Sequence, residues 1–370
     1  MSASDLIPII DGHNDFAWAM RELVGYDLDR ADFAGGIPEL HTDGPRLRHG
    51  GVMAQFWSLW VPQSLGERSV VATLEQLDFI RRLAARHPDV LSVATDTASV
   101  IDAYRNGRVA SLLGLEGGHS IGSSVAVLRL FHALGVRYLT LTHIESLDWA
   151  DSATDAPRAH GLTRFGESVV AEMNALGMIV DLSHVADSVM HRVLQITRRP
   201  VMFSHSSARA VCDVPRNVPD DVLAALGTNG GVCMVTFVPQ FLTDQMAHWY
   251  AEVTAEARAR GVAPEDSTGE DAVFAEFAPT RPPVSIDDVV RHIEHVRDVA
   301  GVDAVGIGGD FDGTRYTTTG LHDVSGYPRL MAALAARGWS RDDLQKLASG
   351  NILRVLAAND SPPPDPLPHR

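Results

Sequence analysis

Lysine is almost missing from this 370-residue chain: Lys346 is the only one, so nearly all the positive charge is arginine. With 31 basic against 47 acidic residues, the formal net charge is −16. That balance argues against a nucleic-acid or anionic-membrane surface, because phosphate binding needs clustered Lys and Arg. The lack of lysine beside abundant alanine and arginine reads as the mark of a GC-rich genome, not of function. Cysteine is scarce too. Cys212 and Cys233 cannot make a disulfide framework, and each is expected in a core as a small apolar residue. No apolar run approaches the roughly 20 residues a membrane helix needs. Met1 to Asp5 carry no basic region of a signal peptide. The proline-rich end, 361–370, is expected to be disordered and offers no hydrophobic tail for a lipid anchor. A cytoplasmic location is the expectation.

What the chain does have is a recurring pattern. With 45% apolar residues it can bury a large core. Eight short apolar runs recur: Leu6 to Asp11, Val52 to Val61, Val109 to Leu115, Val136 to Thr142, Met178 to Leu182, Pro200 to Ser204, Gly231 to Phe237 and Ala304 to Ile307. Most are continuous, not alternating, as parallel strands buried on both faces require. Helical periodicity fills most gaps, for example Val70, Leu74, Leu77, Ile80 and Leu83. Further helices are expected at 124–134, 165–176, 188–196, 286–299 and 327–336, and Gly135, Gly177 and Gly301 suit left-handed helix ends. Strands alternating with helices predict an α/β fold, a (β/α)8 TIM barrel over 1–360. The gap at about 239–283 is too long for a simple connection. It is expected to be an excursion over the barrel mouth or a partner contact, not a separate domain. The last helical stretch, 342–358, should pack back on the barrel.

Chemistry collects where these runs end. The first ends in Asp11-Gly12-His13-Asn14-Asp15, and in an extended backbone His13 and Asp15, two apart, would face one side. Others end in Glu116 and His119, His143, Ser183-His184, Ser204-His205-Ser206, and Asp310-Phe311-Asp312. In a barrel these C-terminal strand ends share one face, where active sites of the fold sit. Six of the eight runs place His, Asp or Glu there, which chance does not readily produce. Neutral imidazoles with carboxylates suit borderline divalent metals such as zinc, and a surplus over four ligands suggests two ions. Two ions about 3.5–4 Å apart need a shared carboxylate and a bridging water, whose pKa falls to about 7. Glu116 has the two-oxygen head for that bridge.

Taken together these stretches resemble the membrane dipeptidase (renal dipeptidase) family of the amidohydrolase superfamily. The resemblance runs through nearly the whole chain. It rests on the stretches 11–15, Gln55-Phe56-Trp57-Ser58, Leu115 to His119, Tyr138 to His143, Phe203 to Ser207, Arg216 to Asp221 and Gly308 to Gly313. It implies two Zn2+ per chain: His13, Asp15 and Glu116 on one, Glu116, His184 and His205 on the other, with Glu116 bridging. It implies Asp310 as the acid/base and His143 as the donor that stabilises the oxyanion and so touches substrate. Arg216 is implied as the anchor for the free carboxylate of a dipeptide. The activity implied is hydrolysis of dipeptides, including ones with a C-terminal D-residue, by a hydroxide bridging the metals. A homodimer is implied as well. Animal members carry disulfides and a lipid anchor, which this chain supports neither of.

Other readings stay open. A related amidohydrolase acting on β-lactams or N-acyl amino acids, or a deaminase, would share the metal site, and a metal-dependent binding protein with a vestigial site would need neither Asp310 nor His143. His119 reads as structural. Asp312 could replace Asp310, being two residues away. Asp11 suits a buried, hydrogen-bonded carboxylate, and Trp57 and Trp60 suit core packing. The hydroxyls of Ser183, Ser204 and Ser206 are expected to hydrogen-bond backbone near the ligands. His292 and His295 lack the spacing of a zinc-protease signature and read as a solvated helix face.

Overall fold

Each of the eight apolar runs forms a parallel strand in the computed structural model, which describes residues 6–263 and 267–360. The expectations for 1–5, for part of the acidic stretch (264–266) and for the 361–370 tail lie outside the described residues. The strands are β1 (Ile9–Asn14), β2 (Val52–Trp60), β3 (Leu91–Val93), β4 (Val109–Glu116), β5 (Val136–Thr140), β6 (Ile179–Asp181), β7 (Met202–Phe203), β8 (Val232–Val235) and β9 (Val305–Ile307). A β2–β4 pairing closes the sheet, so eight strands form the barrel and β3 is left over. That extra strand pairs only with the start of β4, Leu91 opposite Val109 and Val93 opposite Ser111, and β5 takes over the same edge from Leu113 onward.

The period of two along each strand sorts the core into two shells. Ile10, Ala54, Phe56, Ala110, Leu112, Tyr138, Ile179, Met202, Val232 and Met234 form one buried cluster, the barrel interior. Their strand neighbours, such as Ile9, Trp57, Leu113, Leu139, Phe203, Val235 and Ile307, belong to a second cluster that packs against the surrounding helices. Both faces of each strand are thus apolar, which is why the runs look continuous in sequence. Continuing the inward set toward the strand ends gives Ser58, Glu116, Thr140, Asp181 and Ser204, all buried. The barrel axis therefore grades from hydrocarbon to polar within two or three residues.

Helix starts follow local chemistry. Ser285 accepts from the N3 backbone while Asp288 accepts from the Ser285 backbone, the reciprocal cap that opens the helix Ile286–Ala300. Gly177 ends Arg164–Leu176 in the left-handed region as expected. Gly301 does not: at φ 94°, ψ 156° it leaves the helix directly into the turn before β9. The C-terminal stretch is not one continuous helix. Arg341–Gln345 and Asn351–Asp360 flank a widened turn, and Ile352, Val355 and Leu356 pack into the interior cluster.

The excursion supplies a roof. Helices Asp244–Ala259 and Ser267–Phe277 lie over the mouth, with Tyr250, Thr254, Arg258 and Glu270 facing the same cavity as the strand-end residues. Arg315, on the segment after β9, ties both helices down through Asp271 Oδ1 (2.6 Å), Tyr250 Oη (3.0 Å) and Glu270 Oε2 (3.2 Å), with its guanidinium 4.2 Å above the Phe274 ring. Among the described residues no helix is long and apolar enough to cross a membrane.

Candidate active site

Under that roof lies a cavity of about 1020 Å³ lined by Asp15, Glu116, His143, His184, His205, Arg216 and Asp310. His13 sits fully buried directly beneath, its Nε2 3.5 Å from Asp15 Oδ2, 3.3 Å from Glu116 Oε2 and 4.0 Å from Asp310 Oδ1. Glu116 reaches both ways from the end of β4. Its other oxygen, Oε1, stands 3.0 Å from His184 Nε2, 3.4 Å from His205 Nε2 and 3.6 Å from His143 Nε2.

His13 and Asp15 do meet, but not through the strand pleat. The β1 register shifts between Asp11 and Asn14, and Asp15 stands outside the strand at the start of the helix Phe16–Val24 with φ −91°, ψ 21°. The irregular strand end, not alternation, turns both toward one point. That end is zipped to the segment after β9, with Asp15 N donating to Phe311 O (2.9 Å) and Asp310 N to His13 O (3.2 Å). Asp310 adopts φ 58° there, and His184 φ 70°, conformations that side chains rarely take. Gly313 closes the turn because a Cβ would lie 2.0 Å from Asp15 Oδ2 and 2.5 Å from Asp310 Oδ1.

Tyr138, Ser58, Thr140 and Asp181, given no role in the sequence reading, hold this set together with Ser204 and with Trp60, which was expected only to pack in the core. Tyr138 Oη lies 3.0 Å from His13 Nδ1, and Ser58 Oγ donates to Glu116 Oε2 at 2.9 Å. Ser204 Oγ bridges His205 Nδ1 (2.8 Å) and Asp181 Oδ2 (2.6 Å), and Thr140 also donates to Asp181. Trp60 Nε1 donates to His143 Nδ1 at 3.0 Å. Tyr138 and Asp181 were legible only as inward polar tips on otherwise apolar strands. Asp11 is fully buried and bound by Gly309 N, His13 N and Tyr327 Oη, as a structural carboxylate would be.

Three other candidates fall away from the cavity. Asp312 turns back to His41 N (2.6 Å) and does not line it. His119 is spent on the Val61 carbonyl at 2.8 Å. His292 is no solvated helix residue: it is fully buried, its Nδ1 accepting from Ala208 N and its Nε2 beside Leu242 O, both at 3.0 Å. Its position beside Val289 and Ile293 puts it on the apolar stripe. His295, on the same helix, pairs with Asp220 Oδ1 at 2.7 Å.

The electrostatics divide the cluster. Burial alone would push Glu116 up, yet the histidines around it, His13 foremost, hold its carboxyl well below the usual range. Asp310 goes the other way: burial, with the negative Asp15 and Glu116, outweighs His13 and raises it well above a normal carboxylate. His13 is drawn upward against its burial by Tyr138, Glu116 and Asp15. Burial keeps His184 and His205 neutral, well below an ordinary imidazole. Glu116, His184 and His205 are thus held in the ionised-carboxylate and neutral-imidazole forms that a divalent metal binds, whereas the same surroundings draw His13 and Asp310 toward their protonated forms.

Donor geometry fits the same group. His13 Nε2 and Asp15 Oδ1 are buried without a hydrogen-bond partner. His184 Nε2 and His205 Nε2 stand 2.9 Å apart, a spacing close to the roughly 3.3 Å between two ligands of one tetrahedral zinc with bonds of about 2 Å. Ligand atoms of His13, Glu116 and His205, of Glu116, His143 and His184, and of His13, Asp15 and Asp310 form three clusters, each within 4.8 Å.

Beside them Arg216 points into the cavity, only 5% exposed. It donates only to neutral oxygens, Ser206 Oγ and His205 O, both at 3.3 Å, and no carboxylate among the described residues pairs with it. Burial pushes it down to about 10, which leaves it a cation at neutral pH. An unpaired buried cation facing a cavity is a site for an anion.

Comparison with known proteins agrees with this architecture. Residues 4–361 match the family model of the membrane dipeptidases (peptidase family M19). Dipeptidase aclJ of Aspergillus oryzae is 41% identical over 95% of this chain and 78% of its own length. Dipeptidase 3 of Mus musculus is 41% identical over 94% of this chain, which spans 64% of that protein. A metallopeptidase of Rhodobacter sphaeroides, solved with a phosphinate mimic of the dipeptide L-Ala-D-Ala, superposes with a TM-score of 0.80 at 25% identity, covering 96% of this chain and all of that one. With the barrel, the cluster of metal-competent side chains and a match along nearly its whole length, the chain belongs to the membrane dipeptidase family and is a metal-dependent hydrolase.

Proposed function

We propose that the protein is a binuclear zinc dipeptidase that accepts dipeptides with an L- or D-residue at the C-terminal position. The observation that carries this reading is the buried, unpaired Arg216 in the same cavity as the half-satisfied histidines. A free α-carboxylate is the anion that a peptide end presents, and a guanidinium can hold it through two parallel hydrogen bonds. The Rhodobacter sphaeroides relative was solved with a mimic of a D-terminal dipeptide, which supports the stereochemical part.

In this reading His13, Asp15 and Glu116 hold one ion, and Glu116, His184 and His205 the other. When bound, the pair would supply a nucleophilic hydroxide at neutral pH and polarise the scissile carbonyl. The protein's own groups do the rest. Arg216 fixes the carboxylate end, so the peptide bond falls over the cluster. Asp310 Oδ1 takes the proton of the attacking water and hands it to the departing amine nitrogen. His143 Nε2 donates to the carbonyl oxygen as that oxygen gains charge. Glu116, accepting from Ser58, is kept ionised and oriented. The roof formed by the helices Asp244–Ala259 and Ser267–Phe277 belongs to the same catalytic unit and shapes the far wall of the substrate site.

A dipeptide library with both stereoisomers at the C-terminal residue tests the reading on zinc-loaded protein. Cleavage of no member defeats it. Preference for N-acyl amino acids or β-lactams in competition would replace it with the related amidohydrolase activity, because Arg216 suits their carboxylates equally well.

A further inference from the structure

We propose that Trp60 is a positioning residue that sets the tautomer of His143, making its cavity-facing nitrogen a hydrogen-bond donor and barring it from the metal. The proposal rests on the metal-dependent reading of the site above.

Distance alone does not tell His143 from a ligand. Its ring centroid is 4.4 Å from that of His184, and its Nε2 is 3.6 Å from Glu116 Oε1. With Glu116 and His184 it forms one of the three clusters among the described residues compact enough to hold an ion. Chemistry behind the ring decides the matter. The indole N–H of Trp60, 3.0 Å from Nδ1, can only donate. Nδ1 must therefore present its lone pair backward, and the single proton of the neutral ring sits on Nε2. A protonated nitrogen has no lone pair left for a metal. An imidazolium is excluded as well, since it would set two N–H groups against each other.

His205 shows the opposite wiring. Ser204 Oγ donates its one proton to the Asp181 carboxylate at 2.6 Å, so toward His205 Nδ1, 2.8 Å away, it offers a lone pair. Nδ1 of His205 then carries the proton, and its Nε2 faces the cavity with a free pair. A donor behind the ring makes a donor in front, and an acceptor behind makes a ligand in front.

The indole is held without help from His143. Trp60 ends β2, its ring packs edge-on against Trp18 at 4.9 Å, its carbonyl accepts from Gln76 at 2.5 Å, and the Arg21 guanidinium covers Trp18 at 5.0 Å. The donor is thus in place before substrate arrives.

The test uses zinc-loaded, full-length protein with ¹⁵N-labelled histidine, His143 being assigned through His143→Gln. Wild-type protein should show His143 protonated on Nε2, with Nδ1 as an unprotonated acceptor. In Trp60→Phe, which keeps a ring and removes the donor, the proton should redistribute to Nδ1. The kcat for dipeptides should then fall about 10- to 100-fold with KM little changed. Cobalt-substituted Trp60→Phe should gain a changed visible spectrum from an added nitrogen ligand. If Trp60→Phe does not fold, Trp60→Leu, which also removes the N–H, should show the same redistribution. A wild-type His143 that is protonated on Nδ1 or bound to zinc overturns the proposal, and so does an unchanged tautomer in the folded Trp60→Phe or Trp60→Leu variant. Failure to cleave any dipeptide while the wild-type signature holds would instead count against the dipeptidase reading alone.

Discussion

His292 and His205 are buried to the same degree and differ in everything that matters for function. His292, on a helix outside the barrel, has both ring nitrogens matched by backbone groups at 3.0 Å. His205, at the barrel mouth, has one nitrogen tied to Ser204 and the other aimed at Glu116 and His184. The same contrast separates two arginines. Arg315, beneath the roof helices on the segment after β9, is paired with Asp271, Glu270 and Tyr250, whereas Arg216 has only weak neutral partners. Burial does not mark a working residue here. What sets His205 and Arg216 apart is that their unsatisfied groups face the same cavity, where a ligand can complete the shell.

Four experiments can break or sharpen this contrast. The largest effect is expected from Asp310→Asn, which should cut kcat on the order of a thousandfold with metal content unchanged. Loss of metal along with activity would reassign Asp310 as a ligand. Next come the two histidines side by side. His205→Ala should lose metal stoichiometry while the chain stays folded, and chelation of wild-type protein should lower Tm by removing what balances the mouth carboxylates. His292→Ala should keep its metal and lose about 2–4 kcal/mol of stability, since Ala208 N–H and Leu242 C=O are left unpaired. Equal metal loss in both variants would erase the distinction. Third, Arg216→Ala should raise KM for dipeptides roughly 10- to 100-fold, the worth of a charge-assisted hydrogen bond, with no loss of stability. An unchanged KM removes it from substrate binding. The smallest effect is expected from Arg315→Ala: about 1 kcal/mol or less of stability, fading at high salt as screened ion pairs do. A kcat effect larger than its stability effect would mean that the roof takes part in chemistry.

How far all this could be read in advance differs by element. The eight barrel strands were visible because double-faced burial writes itself as unbroken apolar runs. β3 was not, since Leu91-Ser92-Val93 is three residues long and pairs only at the foot of β4. The mouth residues were found by asking where each run stops, which works because a barrel gathers those ends on one face. Their supports stayed hidden. Trp60 and His143 are 83 residues apart, and His13 and Tyr138 are 125 apart. No local pattern links such pairs. The meeting of His13 and Asp15 was anticipated for a reason that does not hold, because β1 shifts register against β2 between Asp11 and Asn14 and Asp15 lies beyond the strand. His292 was misplaced for a simpler reason: a polar letter was weighed above its place on the stripe with Val289, Ile293 and Val296.

The left-handed backbone at His184, Asp310 and Asp312 has a consequence for how the protein can change over time. Among the described residues only six non-glycine positions have positive φ, and half of them sit at these two strand ends. Each such conformation stores on the order of 1 kcal/mol that glycine would release. Selection for heat resistance alone would therefore favour losing two side chains that face the cavity, His184 and Asp310, along with Asp312 behind it. A library sorted by melting temperature should enrich inactive variants at these positions, so durability and turnover would have to be selected together.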